Sequence, residues 1–394
     1  MVGHPPGGPQ GQPVQAPPLT PSAARLLLSA AGREAVAFAQ CLDLSPAARV
    51  VSAESVRRFG PLGPVALEQA HLKARALAKH PGGDRLWWTA EALEQSTPTA
   101  VAAYHAARFA GSQLVLDLGC SVGVDTLALA AVAPTVGVDL DEARLLMARA
   151  NGVPVLLRAD VTRLPLPQRA VVFADPARRS SGRRTSHPRS WSPPLDTVLS
   201  WQVRSLGVKV APGIDYDQLP DDVEVEIVSL DGDVKEAVLW RGAARRGVRR
   251  TATLLPGPHV LTSRGAPVPA VRPPGRYLLE PDGAVVRAHL VAELAQDVGG
   301  WLLDATIAYV AADAPVPTPF GRWYEVLEDL PFRLKQLRER LRARDAGTVV
   351  VKKRGTAVQP EVLRKQLGLT GGREATVVLT RSAGAQIALI VQPL

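Results

Sequence analysis

Asp175 closes an apolar run, Ala170 to Ala174, and Pro176 follows it. Four arginines, Arg178, Arg179, Arg183 and Arg184, come next within seven residues and with no acid among them. A carboxylate at the end of a strand is a hydrogen-bond acceptor held at a fixed place. Guanidinium groups beside it can stack on a planar base or hold phosphate oxygens in pairs. Together these residue types suit the orientation of an N–H on an anionic substrate. Arg189 and Trp191 extend the segment, the tryptophan adding a ring able to stack. The plainer reading is that the arginines pair with acids elsewhere in the chain.

A second constellation lies in LVLDLGCSVGVDTLALA, residues 114–130. An apolar strand runs to Asp117, a glycine turn follows, and a helix begins near Val124. Gly119 and Gly123 permit a tight turn and close backbone approach to a ligand, and a helix N-terminus offers free N–H groups. Asp139 stands 22 residues beyond Asp117, at the end of the next apolar run, where a carboxylate can accept hydrogen bonds from two ribose hydroxyls. The same turn also spells G-x-S-x-G, the pattern of a hydrolase nucleophile elbow, and it partly matches the G-x-G-x-x-G of a dinucleotide site.

The elements that must position these residues decide among the readings. Apolar runs at 113–118, 134–139, 153–160, 170–175 and 206–213 alternate with helical patterns such as VDTLALAAVA and DEARLLMARAN. Strands buried on both faces and separated by helices imply a parallel, doubly wound α/β sheet. DVEVEIVSL and VKEAVLW flank Asp231-Gly232-Asp233 and read as an antiparallel hairpin. The region before the glycine turn reads as helical, and no oxyanion segment precedes it, so a hydrolase elbow is rejected. An acid before the glycines suits the positive groups of S-adenosylmethionine better than a pyrophosphate. Five parallel strands and a closing hairpin point the same way.

Composition sets the bounds. The chain has 394 residues, 46% of them hydrophobic and 21% charged, with a net charge of +9 and two cysteines. This is enough for two or three folded domains with real cores. A basic balance favours polyanionic partners. Two cysteines exclude a disulfide framework and fit a reducing cytoplasm. No apolar run approaches the length of a membrane span, and the seven histidines show no metal-site spacing. Residues 1–21 read as a disordered tail, 22–110 as a helical region with Trp87 and Trp88 as core anchors, and 111–255 as the α/β domain. Residues 256–319 form a connecting segment with a helix over 288–310, and 320–394 form a compact α+β module. That module holds 14 Lys/Arg and 7 Asp/Glu, most of the chain's positive excess.

In this order the stretches LEQSTPTAVAAYHAARFA, DLGCSVGVD, VGVDLDEARLLMARAN, RAD, DPARRSSGRR, WSPPL, KVAPGID and VSLDGDVKEAVLW carry a resemblance. The chain resembles a family of actinobacterial class I S-adenosylmethionine-dependent methyltransferases, Rossmann-like in fold. Its members end in a small THUMP-like domain, matched here by VVKKRG, LRKQLGL, VVLTR and ALIVQP. The resemblance implies that Asp117, Gly119, Cys120 and Gly123 form the cofactor loop and that Asp139 is the ribose acid, with Leu140 packing on adenine. It implies that Asp160 lies near the adenine amino group and that Asp175 and Pro176 are the catalytic pair. THUMP-like modules are associated with RNA, often tRNA, so a nitrogen of tRNA or rRNA is the expected target. Arg178, Arg179, Arg183, Arg184, Lys352, Lys353 and Arg354 would then hold its phosphates. Ser121 departs from the family's third loop glycine, and Val124 from another. Two alternatives stand beside this reading: a non-catalytic RNA-binding protein with a decayed loop, and a methyltransferase of small molecules or proteins.

Overall fold

The computed structural model describes residues 19–177, the backbone of 179–180 and 183–184, and residues 188–394. Most of the expected tail, residues 1–18, lies outside them. In chain order the elements are α1 (Pro21–Leu28), α2 (Ala30–Gln40), α3 (Arg49–Ser55), α4 (Leu62–Ala76), α5 (Ala90–Gln95) and α6 (Thr99–Ala106). Next come β1 (Val115–Leu118), α7 (Val124–Ala130), β2 (Thr135–Asp139), α8 (Glu142–Ala150), β3 (Leu156–Arg158) and β4 (Val171–Ala174). Then follow α9 (Leu195–Ser200), β5 (Ser205–Val210), β6 (Glu224–Leu230), β7 (Asp233–Gly242), β8 (Arg250–Leu255) and β9 (His259–Thr262). Two compact units result. The first takes the chain up to Ser96 with Cys120–Leu127 and Val136–Asp160; the second takes the rest.

In the first unit the helices begin where short polar residues can cap them. Thr20, Ser29 and Thr89 accept hydrogen bonds from the backbone N–H three residues on. Their apolar faces close over Trp88, which is fully buried, and over Trp87. Gln69 clamps Trp88 in the core, donating to its carbonyl at 2.7 Å and accepting from its N–H at 2.8 Å. The same core includes Val122 and Met147. Within the first unit the helices up to Ser96 thus share one core with the α8 side of the α/β segment. Strands β2 and β3 pair in parallel.

In the second unit β1, β4 and β5 are parallel, with Val115 opposite Val171 and Val171 opposite Ser205. The hairpin β6–β7 forms as its Asp-Gly turn dictates, both turn residues lying at positive φ. β7 inserts antiparallel beside β5, and β8 and β9 extend the outer edge beyond β6. Phe109, Phe173 and Trp240 fill the core on the face that α6 covers.

The connecting segment holds more strand than helix. Val291–Asp297 is helical (α11, after α10 at Gly283–Arg287), but β11 (Trp301–Asp304) and β12 (Ile307–Ala312) occupy the rest of the expected 288–310 helix. Gly299 and Gly300 break the helix, and Thr306 between the two strands closes a tight turn by donating to Asp304. β10 (Tyr277–Pro281) pairs with both β12 and β13 (Gly321–Pro331). The boundary near residue 319 is thus crossed by a continuous sheet, which runs β11-β12-β10-β13-β16-β15-β14 once β14 (Ala346–Lys353), β15 (Arg373–Ser382) and β16 (Ala385–Pro393) are included. On β15, Val377 and Leu379 face α12 (Leu334–Ala343) and α13 (Pro360–Leu367), while Val378 faces Tyr309 and Leu389. Among the described residues no helix is long and apolar enough to cross a membrane.

His80 gives the first unit a pH signature. Its ring stacks on Trp88 at 4.9 Å and reaches Ser96 Oγ at 2.8 Å. Burial, with the nearby Lys79 charge, pushes its pKa down to about 4. The unfolded chain takes up that proton near pH 6.5, before the folded one does, so stability is full above pH 6.5 and falls as pH drops toward 4. Urea midpoints measured across this window will decline, and His80→Gln will remove that part of the slope.

Candidate active site

The glycine turn belongs to both units in sequence, and each unit's share has its own geometry. In the first, the Cys120 N–H donates to the Val138 carbonyl at 3.0 Å. Ser121 lies at φ 51, in the left-handed region, and its N–H donates to Asp139 Oδ2 at 2.8 Å. Asp139 Oδ1 accepts from the Asp141 N–H at 2.9 Å. Each carboxylate oxygen is thus fixed by one backbone donor, and a carboxylate has lone pairs for about four. Asp141 in turn caps α8. Gly123 lies at φ +91, where a Cβ would meet Val153 Cγ2 at 2.4 Å. Asn151 ties the turn to the helical core: it donates to the Val122 carbonyl at 2.9 Å and accepts from the Trp87 N–H at 2.7 Å. Cys120 is buried, Leu140 is exposed, and Asp160 is half-buried just past β3.

In the second unit Asp117 is buried within β1. Gly119, also at φ +91, leaves no room for a side chain, since its Cβ would sit 2.7 Å from the Asp175 carbonyl oxygen. The Asp175 N–H donates to the Leu118 carbonyl at 3.0 Å. The ends of β1 and β4 are therefore stitched together, with Asp175 at the seam. Its carboxylate meets Lys209 Nζ at 2.7 Å. Ala177 exchanges two backbone hydrogen bonds with Ser192, closing the base of the arginine loop. Within that loop the backbones of 179–180 and 183–184 pair antiparallel. Arg178 and the side chains of Arg179, Arg183 and Arg184 lie outside the described residues. Trp191 is buried, so its ring serves packing rather than an open stacking surface.

Lys352, Lys353 and Arg354 have partners within their own sheet. Lys352 Nζ donates to Glu280 Oε2 at 2.5 Å; burial works to lower the lysine pKa, but Glu280 and Tyr324 together raise it. Lys353 donates to the Val358 carbonyl at 3.0 Å. Arg354 donates to the Ala308 carbonyl at 2.7 Å and lies over the Tyr309 ring. Sequence reasoning missed Lys209, Glu236 and His105. The signal was present, since KVAPGID and VKEAVLW each set a charge inside a run otherwise apolar enough to be buried. Among the described residues no group of three His, Cys, Asp or Glu is placed to hold a metal ion.

A sequence profile of the THUMP domain-like family matches residues 321–393. The chain is 40% identical over 340 residues to a protein named as an uncharacterized S-adenosylmethionine-dependent methyltransferase in Mycobacterium tuberculosis strain CDC 1551 / Oshkosh, covering 82% of this chain and 94% of that one. The same figures hold for its counterpart in strain H37Rv. A solved structure from Porphyromonas gingivalis W83, described as a candidate methyltransferase, superposes over 95% of this chain and 94% of its own with a TM-score of 0.69 at 22% identity, which extends the likeness to the fold.

The turn geometry makes its own prediction. Gly119→Ala and Gly123→Ala must strain positive φ and displace a neighbour, costing about 1–3 kcal/mol each. Ser121→Gly relieves left-handed strain of about 1–2 kcal/mol but adds chain entropy worth about 0.5–1 kcal/mol, so its stability will stay near that of the parent. Urea unfolding of the three variants checks the order.

Proposed function

This chain belongs to the family of S-adenosylmethionine-dependent methyltransferases that end in a THUMP-like domain, and we propose that it methylates a nitrogen of structured RNA. The observation that carries the RNA reading is the run of arginines set directly after Asp175-Pro176. A target base held by the carboxylate would meet cations suited to its phosphates within the next few residues. The THUMP-like match over 321–393 and the net +7 counted over 320–394 support it.

The residues fit the cofactor. Asp139 is pinned by two N–H donors and keeps lone pairs for a ribose diol. Ser121, in place of a glycine, adopts the backbone conformation the turn needs and so gives no support to a decayed loop. We assign cofactor contacts to Asp117, Gly119, Cys120, Gly123, Asp139, Leu140 and Asp160. When bound, S-adenosylmethionine would supply a methyl group from a sulfonium: an N–C bond would form as the C–S bond breaks, and the proton lost from the nitrogen would pass to solvent. Asp175 does the orienting: it accepts a hydrogen bond from the target N–H and aims the nitrogen lone pair. Such positioning supplies a large part of the rate of a displacement.

Tritium transfer from S-adenosylmethionine to total RNA, with and without ribonuclease, tests the substrate class. Label that resists ribonuclease and follows protein or small molecules sinks the RNA reading. Asp175→Ala will lower incorporation at least 100-fold while calorimetry shows cofactor Kd changed by less than about threefold; loss of both contradicts the assigned role.

Replacing Arg178, Arg179, Arg183 and Arg184 together by alanine will weaken RNA binding at every sequence. It will also reduce the slope of log K against log salt by about 3, near 0.7–0.9 per phosphate contact. An unchanged slope would remove the loop from the interface.

A further inference from the structure

The register of the central sheet brings three ionisable groups onto one face, and a helix adds a fourth beside them. Ala174 lies opposite Val208, so the next pair in the ladder is Asp175 and Lys209. Lys209 lies opposite Val238 on β7, two residues from Glu236, and positions two apart on a strand project to the same side. Lys209 Nζ meets Asp175 Oδ2 at 2.7 Å, with the lysine side chain 5% exposed and the aspartate 28%. Glu236 is buried behind it. His105, from α6, sets Nδ1 3.2 Å from Glu236 Oε1 without good hydrogen-bond alignment. Burial works to raise the Glu236 carboxyl, but the Lys209 charge, His105 and a hydrogen bond from Thr97 bring it below its usual range.

A lysine this deep between two acids has more than one reason to be there. It can neutralise Glu236, which burial would otherwise penalise heavily. It can also hold Asp175 at the mouth of the site. We propose that Lys209 is the positioning residue for Asp175, fixing one carboxylate oxygen so that the group stays aimed at the target N–H, and that Glu236 and His105 hold Lys209 in place. This rests on the reading of Asp175 as the acceptor. An aspartate on a loop seam, tethered only by its backbone, would turn among rotamers, and each turn would misaim the nucleophile.

Two variants separate positioning from mere charge balance. Lys209→Met alone strands the buried Glu236 carboxylate and puts folding at risk, so the decisive protein is Lys209→Met/Glu236→Gln, in which that buried charge is removed as well. It should keep a Tm close to wild type, and Kd for S-adenosylmethionine and KM for total RNA within about threefold. Its kcat should fall at least tenfold. A kcat within twofold of wild type, with Asp175→Ala inactive, shows that Lys209 served only Glu236 and overturns the inference alone. An active Asp175→Ala protein overturns the reading of Asp175 and this inference with it. A crystal structure of the double variant gives a readout that needs no substrate: the Asp175 carboxylate should leave its wild-type position, and finding it in place refutes the proposal.

Discussion

Three buried acids on one sheet face set the terms for the second unit. Glu224 and Glu226 on β6 have no exposed surface, and Glu236 on β7 is nearly as deep. Carboxylates cannot stay in such a place without partners, because burying a lone charge costs several kcal/mol. The partners come from α6 and the turn after it. Arg108 bonds Glu224 at 2.9 Å and Glu226 at 2.6 Å, Tyr104 bonds Glu226 at 2.7 Å, and His105 approaches Glu236. Arg246, Thr253 and the Trp240 indole complete the shell of Glu226. Burial would raise its carboxyl, yet the two arginines bring it down to about 2. The register of α6 against the sheet is thus fixed by charge matching as well as by the Phe109–Phe173–Trp240 cluster.

That constraint reaches the site through adjacent strands. Residues 224 and 226, 236, 209 and 175 follow one another across the ladder on the same face. Arg108 and Arg246 offset the two acids of β6, and the Lys209 charge acts on both Glu236 and Asp175, so cations lower the cost of each buried carboxylate. The Asp175 side chain, the first with real exposure, sits where the charged row ends. A sheet interior filled only with Val and Leu would be easier to stabilise, but it could not deliver an oriented carboxylate to the end of β4.

Much of this was legible and some was not, for identifiable reasons. The five apolar runs fall on strands; four of these are largely buried, which leaves an unmistakable apolar run, while β3 keeps its apolar run although it is mostly exposed. The hairpin was legible from Asp231-Gly232, whose turn needs positive φ. The alternation in DVEVEIVSL misleads: glutamates at every second position suggest a solvent face, and only Arg108 and Arg246, distant in sequence, make them buried. AHLVAELAQDVGGWLLDATIAYV suggests a long helix because its apolar residues suit either period, and the Gly299-Gly300 pair is where the structure decides. The helical region could not be seen to share its core with Val122 and Met147, since such packing leaves no mark on local pattern. Ser121 looks like a defect beside a family glycine, yet its φ of 51 and its bond to Asp139 show a serine in a glycine's conformation.

Charge counting is the weakest of the sequence arguments, and the C-terminal module shows why. Its excess of lysine and arginine invites a reading as one open cationic surface. Lys352, Lys353 and Arg354 instead serve Glu280 and backbone carbonyls, Arg340 and Arg344 share Glu328, and Arg338 bonds the Gln366 carbonyl. These contacts position α12 and β14, so part of the charge is spent inside the module. Exposed Arg333 and Lys335 at the start of α12 are better placed to meet a polyanion than Lys352 and Lys353. A cation contributes to a phosphate interface only where its existing bond is weaker than the one on offer. A partly buried lysine 2.5 Å from a glutamate is therefore a poor first contact, whatever its charge adds to the total.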